Sequence, residues 1–242
     1  MENKLEKQFL IPASMCDNNS RIGIADIFAL FMDLATEHGA TLKLSRYDLE
    51  QHDLIWLITK TKIRIFDRPQ MLDKVTLTTW PAAPGKIQCE RFYKITKGDT
   101  LLADGKNEWA MLNIKTNKLA RIDQVYPNGL IHLEDTACDT PFARVSKNFN
   151  DAKELAHYTV RSVDIDGSHH MNNVAYIRAV LGAFSCDEID KMNVCEADVT
   201  YRLQCYEGEA LTLKQRDIEK GCEIGIIKAD GSTAAVITLK YA

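Results

Sequence analysis

Asp164-Ile-Asp-Gly-Ser-His-His-Met-Asn-Asn-Val-Ala-Tyr176 is a dense polar stretch with a twin far upstream, Asp17-Asn-Asn-Ser-Arg21-Ile22. Each stands directly before a segment whose apolar residues recur at helical spacing. After each segment come four runs that alternate as strands do. A helix followed by a four-stranded antiparallel meander, occurring twice, predicts a duplicated α+β unit in which each helix buries its apolar side against a sheet.

Around the upstream twin, Ile24, Ile27, Phe28, Phe31 and Leu34 share one helical face, with Ser20 the expected N-cap. A more polar segment, about Ala40 to His52, predicts a second, surface helix. Strands are expected over Leu54–Phe66, Lys74–Trp80, Gln88–Thr96 and Leu101–Ile114. In the first of these, Lys60, Lys62 and Arg64 alternate with Thr59, Thr61, Ile63 and Ile65, which predicts a solvated basic face. Pro81 and Pro84-Gly85 end the second strand, and Lys97-Gly98-Asp99 marks a hairpin. Trp56, Trp80 and Trp109 read as core. From about Lys115 to Ala156 periodicity fades, so a connector crossing the surface is expected. The pattern then restarts with a strand at Ala156–Val163 and a helix from Asn173 to Ile189. Strands at Glu196–Leu203, Glu209–Ile218, Cys222–Lys228 and Ser232–Tyr241 close the chain. The expected units are residues 1–150, connector included, and 151–242.

Composition narrows the function. With 242 residues, 45% hydrophobic and 26% charged, the chain is an ordinary globular sequence with room for one large domain or two. A net charge of −4 argues against a dedicated nucleic-acid binder. The segment Met1-Glu-Asn-Lys-Leu-Glu-Lys-Gln8 is charged and lacks the apolar core of a secretory signal. No apolar run nears the ~20 residues of a membrane span, so a cytoplasmic protein is expected. The seven cysteines form an odd count without a C-x-x-C pair, which fits a reducing compartment and speaks against a zinc site. No glycine-rich phosphate loop supports a nucleotide.

The twins differ where chemistry would sit. Arg21 stands where the downstream copy has His170, and an arginine stays protonated and cannot be a general base. Only the C-terminal copy is equipped for chemistry. At a helix entrance backbone N–H groups point outward unsatisfied. An acid/base pair beside such donors suits acyl transfer.

An ordered set of segments then resembles a known family. The set comprises Gly23…Leu34…Glu37-His38-Gly39, Trp56-Leu-Ile-Thr59, Val75-Thr-Leu-Thr-Thr-Trp80-Pro81 and Arg91-Phe-Tyr93. It continues through Trp109-Ala-Met-Leu-Asn113 to Asp164-Ile-Asp166…His170-Met-Asn172-Asn173-Val-Ala-Tyr176. Together they resemble the acyl-[acyl-carrier-protein] thioesterases of plants and bacteria. The resemblance implies a tandem hotdog fold, two long helices each wrapped by a curved antiparallel sheet. It implies hydrolysis of a fatty acyl thioester carried on the phosphopantetheine of acyl carrier protein, without metal or other cofactor. The acyl tail would enter an apolar pocket of the N-terminal unit, and the C-terminal unit would be catalytic. A homodimer is a further expectation, although a duplicated hotdog can serve as its own dimer.

The family pattern, Asp-x-Asn-x-His with a Glu in a later strand, falls on Asp166, Ser168, His170 and Gln204. Two positions depart from it: a serine replaces the asparagine and a glutamine the glutamate. His170 can take a proton from water and return it to the leaving thiol, or it can merely cap the helix. Asp166 can orient His170, act as base, or close an Asx-turn. Ser168 and Gln204 can position water or donate to an oxyanion, but neither can serve as base. Cys205 matches the nucleophile of an older family scheme and would need a lowered pKa; otherwise it is a small buried hydrophobe. Met171, Asn172 and Asn173 form the helix-entrance region, as oxyanion donors or caps. Three other functions compete: a dehydratase or hydratase, a thioesterase acting on acyl-CoA, and a non-catalytic acyl-thioester binder. Recruitment of an acidic carrier would fall to some basic surface.

Overall fold

The first apolar-periodic segment winds into α1 (Ile24–Thr41), longer than its apolar face predicts, with Ile27, Phe28, Phe31 and Leu34 buried. The computed structural model describes residues 3–127, 129–146 and 148–242. Met1 and Glu2 of the charged N-terminal segment, and Asn128 and Lys147 of the expected connector, lie outside the described residues. The N-cap of α1 is Gly23, not Ser20. Ser20 is taken up by the preceding turn, where its N–H donates to the Asp17 carbonyl at 3.0 Å and its φ is +57°. The polar segment that follows contracts to one turn and a half, α2 (Arg46–Glu50), started by a Ser45/Asp48 capping box. Leu42, Leu44 and Leu49 are buried around it.

Contacts gather the chain into two compact units, Met1–Thr140 and Pro141–Ala242. In the first, five strands precede and follow α1: β1 (Leu5–Leu10), β2 (Leu54–Ile65), β3 (Lys74–Pro81), β4 (Gln88–Lys97) and β5 (Thr100–Asn113). Their order across the sheet is β1-β3-β4-β5-β2, and a short β6 (Lys118–Leu119) pairs with the end of β5. This is not the simple meander expected from the sequence, because β2 pairs with β5 instead of with β3. β1 is an addition to the expected set. Its half-buried Leu5, Lys7 and Phe9 alternate with exposed Glu6, Gln8 and Leu10, and an inward lysine hides that pattern from a hydropathy reading.

The second unit repeats the plan. It holds β7 (Lys153–Thr159), α3 (Asn173–Leu181), α4 (Cys186–Met192), β8 (Val194–Tyr201), β9 (Ala210–Ile218), β10 (Gly221–Lys228) and β11 (Thr233–Tyr241). The strand order β7-β9-β10-β11-β8 is that of the first unit, strand for strand. Each unit is a hotdog. The duplication expected from the two polar stretches is therefore a duplication of topology. The second helix is shorter than expected: Gly182 closes α3 by donating to the Arg178 carbonyl at 2.8 Å, and a Ser185/Glu188 capping box starts α4. The contact boundary falls at residue 140, ahead of the expected 150. Residues just after it are fastened to the second sheet: the Ala143 N–H donates to Asp198 at 3.2 Å and the Ser146 N–H to Glu223 at 2.8 Å.

The connector also changes the reading of β2. Lys62 is only 1% exposed, so its face is not solvated. Arg64 makes a two-pronged bond to Asp104 (2.8 and 2.6 Å) and a further one to Asp139 at 2.7 Å, while the Cys138 N–H donates to Asp104 at 3.0 Å. Arg64 is thus held between an acid of β5 and one of the connector, and Lys60 pairs with Glu108 of β5 at 3.0 Å.

Two turns entering β3 and β9 correspond in the same detail. The N–H groups of Leu72 and Gly208 donate to the carbonyls of Ile11 and Val160, both at 2.9 Å. Both residues are left-handed, at φ +67° and +82°.

Under α1, Phe31 stacks on Tyr93 with ring centroids 4.6 Å apart. Gly105 of β5 makes room for that stack: a Cβ there would lie 2.5 Å from the Phe31 ring and 2.6 Å from the Lys62 carbonyl oxygen. Neither neighbour is a flexible side-chain end. Gly105→Ala is expected to lower unfolding free energy by roughly 1–3 kcal/mol in a denaturant titration; an unchanged midpoint would contradict this packing.

Candidate active site

The loop between β7 and α3 is shaped by its own polar residues. After a single turn of 3-10 helix at Ser162–Asp164, Ile165 bridges to Met171, pinching residues 166–170 into a tight excursion. Asp166 closes it. Its carboxylate accepts the Ser168 N–H at 2.7 Å, its carbonyl accepts the His169 N–H at 2.9 Å, and its N–H donates to the His170 carbonyl at 3.2 Å. Exposed His169 absorbs the reversal at φ +63°. Asp166 thus forms the Asx-turn that was one of its expected uses. The His170 ring makes one weak contact, Nδ1 to the Met171 carbonyl at 3.5 Å. Asp166 and His170 lie in one turn of chain, but among the described residues no hydrogen bond joins their side chains.

Asn172 caps α3, its Oδ1 accepting the Val174 N–H at 2.8 Å. The expected set of oxyanion donors is smaller than the sequence suggests. The Met171 N–H is spent on the Cys205 carbonyl and the Asn172 N–H on the Asp164 carbonyl, both at 2.8 Å. Among the described residues, the Asn173 N–H has no acceptor, and it sits at the positive end of α3.

The bond from Met171 to Cys205 brings the distant segment Leu203–Tyr206 against this loop. Gln204 does not belong to a strand, since β8 ends at Tyr201, and its exposed side chain accepts from the Tyr206 hydroxyl at 2.9 Å. Cys205 is fully buried, and burial raises its thiol above the ordinary value. Such a thiol is poorly suited to attack as a thiolate.

Two residues not singled out in the sequence hold the segment. The Tyr176 hydroxyl accepts the Cys205 N–H at 3.2 Å and donates to the Leu203 carbonyl at 3.3 Å. Lys228 donates to the Gln204 carbonyl at 2.9 Å and pairs with Glu209 at 3.0 Å. The position of Tyr176 on the buried face of α3 was the available signal for the first; nothing local announces the second.

The upstream twin has the same backbone. Cys16 bridges to Ile22, Asp17 Oδ1 accepts the N–H of Asn19 at 2.9 Å, and the Ile22 N–H donates to the Pro69 carbonyl at 2.9 Å. Pro69 therefore corresponds to Cys205, Arg68 to Gln204, and Asn19 to Ser168. The side chains differ sharply. In the first unit Arg68 pairs with Asp17 and Arg21 with Asp67, so the loop is filled by ion pairs. Among the described residues no grouping of three or more His, Cys, Asp or Glu could hold a metal ion. No helix of these residues is long and apolar enough to cross a membrane.

Residues 2–128 match the family model of the acyl-ACP thioesterase N-terminal domain, and residues 147–241 that of the C-terminal domain. The chain belongs to the acyl-ACP thioesterase family. A chloroplastic acyl-[acyl-carrier-protein] hydrolase of Cuphea viscosissima is 28% identical over 166 residues, covering 65% of this chain and 40% of the relative. An oleoyl-acyl carrier protein thioesterase of Arabidopsis thaliana, also chloroplastic, is 23% identical over 224 residues, 84% of this chain and 60% of the relative. The chain therefore spans about two fifths to three fifths of the length of these two. Two solved structures share the fold: an acyl-ACP thioesterase from Bacteroides thetaiotaomicron (TM-score 0.88, 19% identity, 99% and 98% of the two chains) and the 12:0-ACP thioesterase from Umbellularia californica (TM-score 0.87, 17% identity, 100% and 98%).

Burial of Cys205 is directly testable. A soluble alkylating reagent at neutral pH is expected to label exposed Cys186 in the native protein and to spare Cys205 until the chain unfolds. Peptide mapping by mass reads the result, and early labelling of Cys205 would contradict its environment.

Proposed function

We propose that the chain is a thioester hydrolase that releases free fatty acid from acyl-acyl-carrier-protein. The observation that carries this reading is the contrast between two copies of one loop. Ion pairs occupy Asp17 and Arg21 in the first, whereas in the second Asp166 receives the Ser168 N–H and, among the described residues, the His170 ring bonds only a carbonyl, at 3.5 Å. A carboxylate and an imidazole without opposing charges are free to exchange protons with a substrate. Family membership and the names of the relatives support the acyl-carrier substrate.

In the proposed reaction water attacks the thioester carbonyl. His170, with Asp166 beside it in the turn, takes the proton from water and returns it to the departing phosphopantetheine thiolate. The Asn173 N–H, at the head of α3, donates to the developing oxyanion. Ser168 and Gln204 orient the water, which assigns base chemistry to Asp166 and His170 in the absence of the family's glutamate. Cys205 has no nucleophilic part, because its buried thiol resists ionisation. The acyl tail runs into the interior of the N-terminal unit. The reaction is placed in the cytoplasm, with a basic surface outside the β2 row receiving the acidic carrier.

Free thiol released from acyl-carrier-protein and acyl-CoA substrates tests the reading. His170→Ala is expected to lower kcat by roughly 10²–10⁴-fold; equal rates for the variant and wild type would remove His170 from the mechanism. New double bonds from 3-hydroxyacyl thioesters would select a dehydratase, and tight binding without turnover would select an acyl-binding protein.

A further inference from the structure

The helix-facing side of the N-terminal sheet is not uniformly apolar. Thr61 of β2, Asn107 of β5 and Arg91 of β4 are direct cross-strand partners, so they form one row across three strands. Side chains of such partners stand about 5 Å apart on the same face. The row lies under α1, where Asn107 Nδ2 contacts Met32 Sδ at 3.8 Å and His38 Nδ1 meets Arg91 at 2.9 Å. All three members are at least nine-tenths buried: Thr61 is 1%, Asn107 0% and Arg91 8% exposed.

Burial of this kind carries a cost unless each polar atom finds a partner. Thr61 Oγ1 and Asn107 Oδ1 find none. Arg91 has no carboxylate partner among the described residues. Its bonds, to His38 and to Thr79 Oγ1 at 3.4 Å, both use the same terminal nitrogen, leaving Nε and the second Nη undonated. A buried, unmet acceptor beside guanidinium nitrogens that donate to no described residue asks for a group that donates and accepts at once. A carboxylate or ketone only accepts and would leave Asn107 Oδ1 unmet. A hydroxyl answers both, donating to Asn107 Oδ1 and accepting from Arg91.

We propose that this row is a recognition point for a hydroxyl group on the acyl chain, so that the substrate class is hydroxylated acyl thioesters. The assignment rests on the thioesterase reading and on the acyl tail entering the N-terminal unit. A plain methylene chain passing the row would cover these polar atoms without satisfying them, which penalises it against its hydroxylated counterpart.

The test uses the full chain and acyl-carrier-protein thioesters of one chain length: unsubstituted, hydroxylated at successive carbons, and ω-carboxylated. For at least one hydroxyl position, wild type is expected to show kcat/KM on the order of tenfold or more above the unsubstituted chain. Thr61→Val, close to isosteric, and Asn107→Leu are each expected to move that ratio toward one. The ratio is the readout, so a general loss of folded protein does not imitate the effect. Unsubstituted chains hydrolysed as well as every hydroxylated one would overturn the proposal while leaving the thioesterase reading intact. Preference for the ω-carboxylated chain would overturn the hydroxyl assignment. Should no thioester be cleaved, calorimetry with the free acids decides: tighter binding of a hydroxylated acid than of the plain acid keeps the row as a hydroxyl site, and equal binding sinks it.

Discussion

Two backbone hydrogen bonds, from the Ile22 N–H to the Pro69 carbonyl and from the Met171 N–H to the Cys205 carbonyl, fix the candidate site and its twin. Each ties the last residues before a helix to the segment that leaves the first strand after it. Once the bond is made, the polar loop must bulge outward, the helix start is set, and the residue before the acceptor is brought beside the loop. In the second unit those consequences bring the segment of Gln204 and Cys205 against the loop that carries Asp166 and His170. The tie also withdraws an N–H that a reading of the loop alone would offer to a substrate. Tyr176 reinforces it from below, bonding the backbone on both sides of Gln204.

Duplication explains why the sequence revealed so much of the fold. The polar stretch before each helix and the alternation of the later strands survive in both copies, and two weak signals in the same order make one strong one. What stayed hidden depends on non-local contact. The pairing of β2 with β5 leaves no mark on either strand, because an edge and an interior neighbour impose the same alternation. Lys7 and Lys62 face inward and break the hydropathy pattern. Gly182 ends α3 where apolar spacing would have carried it on.

The candidate site divides along the same line. Asp166 and His170 are four residues apart in one loop, so their proximity is written locally. The duty of each N–H at the helix entrance is not, since Cys205 and Asp164 compete for them through folded geometry. Gln204 was expected on a strand face; the strand ends three residues earlier, and the side chain turns to Tyr206. The connector, featureless in sequence, is fastened by carboxylates such as Asp104, Asp198 and Glu223, and its Asp139 takes up Arg64 of the apparently wet basic row.

Leu72 and Gly208 hold equivalent turns in the same left-handed conformation, yet only one of them is suited to it. A leucine there carries roughly 1–2 kcal/mol of local strain that a glycine does not, and at 66% exposure its side chain recovers little by packing. The first copy therefore holds this turn against the preference of its residue, and the second copy does not. Leu72 is thus a place where stability can be gained, by a glycine, without touching the candidate loop of the second unit.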